Sequence, residues 1–311
     1  MKRLLVSAIL SAIALSAIGG LTGCAASGLV TYANSEKYSV GDAKFTEKIE
    51  NIEIDWASGS VSIVSHPENT FLLSEKTDDG IPEELRVHWW LDGTTLHVKF
   101  SAPGASLRLI NVRRKDLTLT VPENFSLDDV TISAASANVD VSDLAARTLS
   151  VSTASGEMNI GSAADKIRLN SASGNVQLKQ ADKAGEVSIS TASGKIDVNL
   201  GRADKASFES ASGKIKVTAA LVDSLSAKSA SGSVSCELEN VPSECELSVV
   251  SGGVNLILPE DSDFTANVRM TSGEFDSDFA LKKNGNTYIC GSGSAGIDID
   301  TTSGDVSIRQ K

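Results

Sequence analysis

Aromatic residues are scarce in this 311-residue chain, 5% of the total, so platforms on which sugar rings stack must be few. Basic residues are a minority, which disfavours nucleic acid and anionic lipid as partners. The three cysteines after residue 24 include no Cys-x-x-Cys pair and have no histidine close by in sequence, so neither a zinc nor a thiol-redox site is expected. The Gly-Gly-x-Gly-x-Asp nonapeptide of a calcium-binding β-roll does not occur. Lysines and acids interrupt any flat threonine array of the ice-binding kind, and there is no sequence sign of the carboxylate cluster a polysaccharide-cleaving β-helix needs. Beyond the first 24 residues no stretch is long and apolar enough to span a bilayer. No catalytic residue, metal ligand or cofactor motif stands out, and the chain does not read as an enzyme.

What the sequence does hold is a recurring Ala-Ser-Gly corner. Its Ser-Gly pairs are Ser58-Gly59, Ser155-Gly156, Ser173-Gly174, Ser193-Gly194, Ser212-Gly213, Ser231-Gly232, Ser251-Gly252, Ser272-Gly273 and Ser303-Gly304, with a degenerate copy at Ser136-Ala137. From Ser136 to Ser272 the intervals are 19, 18, 20, 19, 19, 20 and 21 residues. A period of that size means stacked coils, because one such unit cannot bury its apolar face alone. Within a repeat, as in Leu149-Ser150-Val151-Ser152-Thr153-Ala154-Ser155-Gly156-Glu157-Met158-Asn159-Ile160, apolar residues alternate on both sides of the corner, the period-2 pattern of strands with one buried face. The sequence therefore predicts an all-β, single-chain β-solenoid with coils of about 19 residues. Its inward columns run through Ile52, Val130, Leu149, Ile167, Val187, Ala206, Leu225, Cys245, Ala266 and Ile297 before the corner, and Val61 to Val306 after it. The corner glycines are expected at positive φ, where a Cβ would clash.

Three residues after each corner glycine the outward column reads Asn159, Gln177, Asp197, Lys216, Ser235, Asn255, Asp276 and Ser307. A mixed column of this kind is what solvation alone demands, since like charges stacked about 4.8 Å apart would repel. Its functional reading is a binding face along the most regular region, 148–258, with Asp197, Lys216 and Asn255 as candidate contacts.

The first residues fix an expected location. Lys2 and Arg3 precede an apolar stretch from Leu4 to Gly20, and Leu21-Thr22-Gly23-Cys24 closes it. This resembles the bacterial lipoprotein signal, which implies cleavage before Cys24 and a diacylglycerol on its thiol; an ordinary signal peptide or membrane helix is the alternative. Two acyl chains give stable anchoring where one would be marginal. The mature chain would carry 26 basic against 40 acidic residues, a net charge of −14, and sit in the cell envelope outside the cytoplasmic membrane.

The organisation expected is a signal at 1–23, a flexible tether at 24–45, a β-region with a hairpin at 46–127, and the repeat domain at 128–311. In the β-region Leu85–Phe100 turns on Asp92-Gly93, a type I′ signal. That turn pairs Trp89 with Leu96, Val87 with Val98, and His88 with His97 beside Trp90 and Lys99; Lys99 would oppose a cation, so a solvated polar face is preferred to a metal site. Arg108, Arg113, Arg114 and Lys115 make the one basic cluster, read as an exposed loop or else as a contact for teichoic or lipid phosphates. Cys236 and Cys245 fall in inward columns and read as small buried hydrophobes, with a disulfide between them dependent on Cα separation; Cys290 has no obvious mate. Lys282–Asn286 offers a second hairpin turn. Gly291-x-Gly293-x-x-Gly296 leads into a strand rather than a helix, so it is no dinucleotide site.

The early Ile-x-Ile-x-x-Ala-Ser-Gly-x-Val-x-Ile segment at 52–63, the Leu117-Thr118-Leu119-Thr120-Val121-Pro122 lead-in, the serial Ala-Ser-Gly-x-Val-x-Val coils and the closing Thr302-Ser303-Gly304-Asp305-Val306 together resemble the bacterial putative-adhesin family of β-strand-repeat proteins, often called LiaG-like. The resemblance spans roughly 46–311 and implies a right-handed β-solenoid in the cell envelope, with no catalytic residues to carry over. The resemblance leaves the biochemical function unassigned; taken with the lipoprotein signal and the mixed outward columns, the sequence reads as a surface lipoprotein whose repeats act as an adhesin-like scaffold or binding surface, with a cell-wall glycan or an envelope protein as expected partner. An accessory or sensor of an envelope-stress system is the first alternative and a carbohydrate-active β-helix enzyme the second.

Overall fold

The structure, a computed structural model, describes residues 31–78, 80–105 and 114–311. The described residues form two compact units, one running to Ala164 and taking in Arg168–Gly174, the other made of Asp165–Ile167 and Asn175–Lys311. The fold is all-β: among the described residues two short 3-10 turns, Ser35–Lys37 and Glu83–Leu85, are the only helical elements.

The N-terminal unit holds β1 (Ser39–Val40), β2 (Ala43–Phe45), β3 (Asn51–His66), β4 (Phe71–Lys76), β5 (His88–Asp92), β6 (Thr95–Lys99), β7 (Lys115–Pro122), β8 (Leu127–Leu144), β9 (Ala146–Ser155), β10 (Met158–Ser162) and most of β11 (Lys166–Ser173). Two of these strands, β3 and β8, run through a corner and lie parallel to each other along both limbs, with Ile52 on Val130 and Val61 on Val139. On one limb the order continues from β3 to β6, β5 and β1. On the other it continues to β7, β4 and β2. The first complete repeat is thus not the end of the stack. Its inward side chains Ile52, Ile54, Trp56, Val61 and Ile63 are all buried, and Leu96, Val98, Leu117 and Leu119 from the irregular section lie against them. Burying each such side chain is worth about 1.5–3 kcal/mol, which is why the section that departs from the period folds back as a cap. Residues 39–45, expected within a tether, pair as β1 and β2 at the margins of this cap.

The C-terminal unit holds β12 (Val176–Thr191), β13 (Ile196–Ser212), β14 (Ile215–Ser231), β15 (Val234–Leu238), β16 (Glu244–Ser251), β17 (Val254–Leu258), β18 (Phe264–Ser272), β19 (Phe275–Ser277), β20 (Lys282–Asn284), β21 (Thr287–Cys290), β22 (Ala295–Ser303) and β23 (Val306–Gln310). Strands β12, β13 and β14 stack in parallel through the corner. The column Val187, Ala206, Leu225, Cys245 and Ile297 is in register, as is Ile196, Ile215, Val234, Val254 and Val306. The last repeat of the sequence is not last in space. Strand β22 lies between β16 and β18, and β23 between β17 and β19. The chain runs out to form β18 and β19, turns through the β20–β21 hairpin, and returns to fill the slot left behind, which accounts for the wider interval before Ser303-Gly304. Phe264 and Phe279 meet edge to face at 5.2 Å at this end of the core.

The corner glycines divide into two kinds. Gly59, Gly232 and Gly273, for instance, have φ of 101°, 154° and 124°, whereas Gly174 and Gly213 lie outside the positive-φ region. What Gly213 requires is close approach: a Cβ there would lie 2.8 Å from the carbonyl carbon of Gly194, and nearer still to its oxygen. At the degenerate copy Ala137 is buried, and its carbonyl is the atom a Cβ on Gly156 would strike.

A candidate binding face and an aromatic cap

The alternation that buries one side of every strand leaves the other in water, and register then decides which outward side chains become neighbours. In the C-terminal unit one row reads Gln177, Asp197, Lys216, Ser235, Asn255, Ser307 and Asp276, each directly opposite the next. The three candidates Asp197, Lys216 and Asn255 therefore fall on a single row, with Asp197 beside Lys216 and Ser235 between Lys216 and Asn255. Lys195 Nζ reaches Asp197 Oδ2 at 2.6 Å. Ser307 Oγ donates to Asn255 Oδ1 at 2.7 Å, and Asn255 Nδ2 donates to Ser235 Oγ at 3.4 Å. The next outward row, Asn199, Thr218, Glu237, Ile257 and Arg309, is equally mixed. Such a face offers alternating donors and acceptors at strand spacing, suited to an extended polymer with repeated hydroxyl or amide groups.

The expected histidine pair does not form. The β5–β6 loop is Gly93-Thr94, with Gly93 at φ 60°, so Asp92 faces Thr95, Trp89 faces Val98, Trp90 faces His97 and His88 faces Lys99. Register here is set by β3, which places Leu96 beside Ile52 and Val98 beside Ile54, rather than by the turn dipeptide. His88 is buried, with Nδ1 2.9 Å from the Arg86 carbonyl; burial, together with nearby Lys115, holds it below the ordinary histidine range against the opposing pull of that hydrogen bond. His97 Nδ1 lies 2.9 Å from Glu53 Oε2. No group of residues that could hold a metal ion occurs among the described residues.

The basic cluster is not an exposed patch as a whole. Arg108 and Arg113 lie outside the described residues and Arg114 is exposed, but Lys115 is fully buried. Its Nζ pairs with Glu75 Oε1 at 2.6 Å, donates to the Leu85 carbonyl at 2.7 Å and to that of Phe100, and stands over the rings of Phe100 and Trp56. Arg86 approaches the other Glu75 oxygen at 3.5 Å. Burial pushes the Lys115 ammonium down to about 8 while Glu75 pulls the other way. The pattern was there to be read: Glu75 and Lys115 occupy inward positions of Phe71-x-Leu73-x-Glu75 and Lys115-x-Leu117-x-Leu119.

Sequence reasoning also missed an aromatic cluster on the outer side of the same cap. Trp90 stacks on His97 with ring centroids 5.2 Å apart, Tyr38 lies 5.8 Å from Trp90, and Tyr32 lies 4.9 Å from Tyr38. Lys37 Nζ stands 4.6 Å over the indole, Tyr32 OH donates to the Ser101 carbonyl at 3.1 Å, and Lys99 pairs with Asp55. Partial burial, helped by the Asp55 and Glu53 carboxylates, pushes the Tyr38 hydroxyl up to about 12. No local signal could have revealed this, because it joins residues 32–38 to a hairpin some fifty positions on.

Cys236 and Cys245 are both buried free thiols, stacked on Val217 and Leu225 respectively, and Cys290 is a half-buried free thiol. Cys24, the expected lipidation site, lies outside the described residues.

A family profile described as Toastrack DUF4097 matches residues 49–309. Among crystal structures, the chain is similar to a putative adhesin from Bacteroides fragilis NCTC 9343, with 14% identity and a TM-score of 0.41 over 88% of this chain and 97% of that one. It is also similar to a putative lipid binding protein from Parabacteroides distasonis ATCC 8503, with 15% identity and a TM-score of 0.41 over 88% and 97%. A putative adhesin from Parabacteroides merdae ATCC 43184 shares 13% identity, with a TM-score of 0.36 over 88% and 96%. No curated protein matches the sequence.

Proposed function

This chain belongs to the Toastrack DUF4097 family, and from that premise we propose that it is a non-catalytic lipoprotein of the bacterial cell envelope whose stacked strands, right-handed coils of about 19 residues, present an adhesin-like binding face. The observation that carries this reading is the outward row from Gln177 to Asp276, polar along its length and in register across seven strands of one unit. A row of this form recognises by addition: each coil supplies one or two weak polar contacts, and affinity accumulates along a polymer that lies across the strands. The chemistry it fits is a cell-wall glycan, whose hydroxyls and amides both donate and accept. Attachment through a diacylglycerol on Cys24, supported by Leu21-Thr22-Gly23-Cys24, would hold the face in the envelope. Two measurements test the reading. The mature chain should cosediment with isolated cell walls, and a palmitate analogue fed to cells should label the wild type and not Cys24→Ser. Label persisting in Cys24→Ser, or a chain that stays in the supernatant, would refute the corresponding half.

A further inference from the structure

We propose that the Tyr32–Tyr38–Trp90 cluster rests in the headgroup region of the bilayer to which the chain is anchored, so that the N-terminal unit lies on the membrane surface. The inference deepens the lipoprotein reading and rests on its anchor at Cys24. Its first support is covalent. Residues through Val40 are already folded onto the cap, since Tyr32 reaches Ser101, Tyr38 meets Trp90 and β1 pairs with β5. Only six residues then lie between Cys24 and Thr31, seven Cα steps that span at most about 25 Å. Tyr32, one residue further, belongs to the cluster itself, so the chain holds the anchor within roughly that reach of it. The second support is chemical. Tyr32, Tyr38 and Trp90 are half-buried, with an apolar body and a polar tip, the residue types that settle at a membrane–water interface. Lys37, an exposed residue, holds its ammonium 4.6 Å over the indole, a cation on the ring face at the outer side of the cluster.

Charge does not drive the contact. Around the cluster Lys99 is matched by Asp55 and His97 by Glu53, while Glu36 accompanies Lys37. The attraction is that of aromatic rings for the interface, too weak alone to recruit the protein and sufficient once the lipid holds the surface within reach, where local concentration replaces affinity.

The test uses the full lipidated chain in vesicles of phosphatidylethanolamine and phosphatidylglycerol whose acyl chains carry bromine near the headgroup, a quencher of indole fluorescence. Trp56 is fully buried and Trp89 packs against Phe45, so Trp90 is the reporter. The expected result is quenching that disappears in Trp90→Phe, weakens in Tyr38→Ser, is unchanged by raised salt, and falls when about 30 Gly/Ser residues are inserted after Cys24. Circular dichroism shows whether each variant is folded. Protein that floats with the vesicles but is not quenched overturns the docking while leaving the anchor intact. Protein that does not float and lacks the diacylglycerol mass overturns the anchor and the docking with it. A Trp90 response to soluble cell-wall polysaccharide, with none to vesicles, overturns the proposal in favour of a sugar platform.

Discussion

Replacing Gly213, at the corner between β13 and β14, by alanine should destabilise the C-terminal unit far more than replacing Gly296 on β22, although neither glycine has positive φ. At Gly213 the new methyl would lie 2.8 Å from the Gly194 carbonyl carbon and 3.0 Å from Ser210 Oγ. Carbon atoms prefer separations of about 3.5–4.0 Å, so the two coils would have to part by about 1 Å, and the obstacle is backbone with no side chain to swing aside. Overpacking of this kind costs about 1–3 kcal/mol. Parting the coils also stretches the bonds from Ser212 N to Ala192 O and from Ile196 N to Lys214 O, now 3.0 and 2.9 Å, each worth about 1 kcal/mol. The sum is about 3–5 kcal/mol. At Gly296 the nearest atom to a new Cβ is the Ser243 carbonyl oxygen at 3.8 Å, an ordinary contact, and a less flexible unfolded chain should make Gly296→Ala neutral or up to about 1 kcal/mol stabilising. Urea unfolding followed by circular dichroism measures both. A Gly213→Ala midpoint equal to the parent's, or an equal loss in Gly296→Ala, would refute the account of stacked corners.

Lys115→Met should cost about 3–5 kcal/mol because it leaves the buried Glu75 with only the long contact to Arg86, and Lys115→Met combined with Glu75→Leu should recover much of that loss; thermal melts of the single and double variants read it directly, and a single variant as stable as the parent contradicts the buried pair. The thiols should respond unequally to iodoacetamide: burial pushes Cys245 up to about 12 and Cys236 well above its ordinary value, so Cys290 should react first in the native protein and all three only in urea. Mass spectrometry of the alkylated mature chain distinguishes this from a Cys236–Cys245 disulfide, in which Cys290 alone would react under both conditions.

The columns were legible because alternation is a local property. Val187, Ala206, Leu225 and Cys245 could be aligned by counting from their glycines, and the structure stacks them so. The order of the last two coils was not legible, since Ile297 and Ala266 satisfy the same inward column and nothing local states which comes first. The hairpin at 88–99 kept its two faces but not its partners, because Ile52 and Ile54 of a distant strand fix the register that the Asp92-Gly93 dipeptide only suggests. Asp197, Lys216 and Asn255 fall on one row, since an outward column follows from the same count as the inward one. The aromatic cap was invisible because a tertiary fold, not a pattern, brings Tyr32 and Tyr38 to Trp90.

The most direct test of the binding face is cosedimentation with isolated cell walls of the mature chain and of its Asp197→Ala, Lys216→Ala, Asn255→Ala triple variant. These side chains face outward, so the variant should stay within about 0.5 kcal/mol per site of the parent's stability and retain its circular dichroism spectrum while its sedimented fraction falls. A folded triple variant that binds walls as the parent does would contradict the central claim.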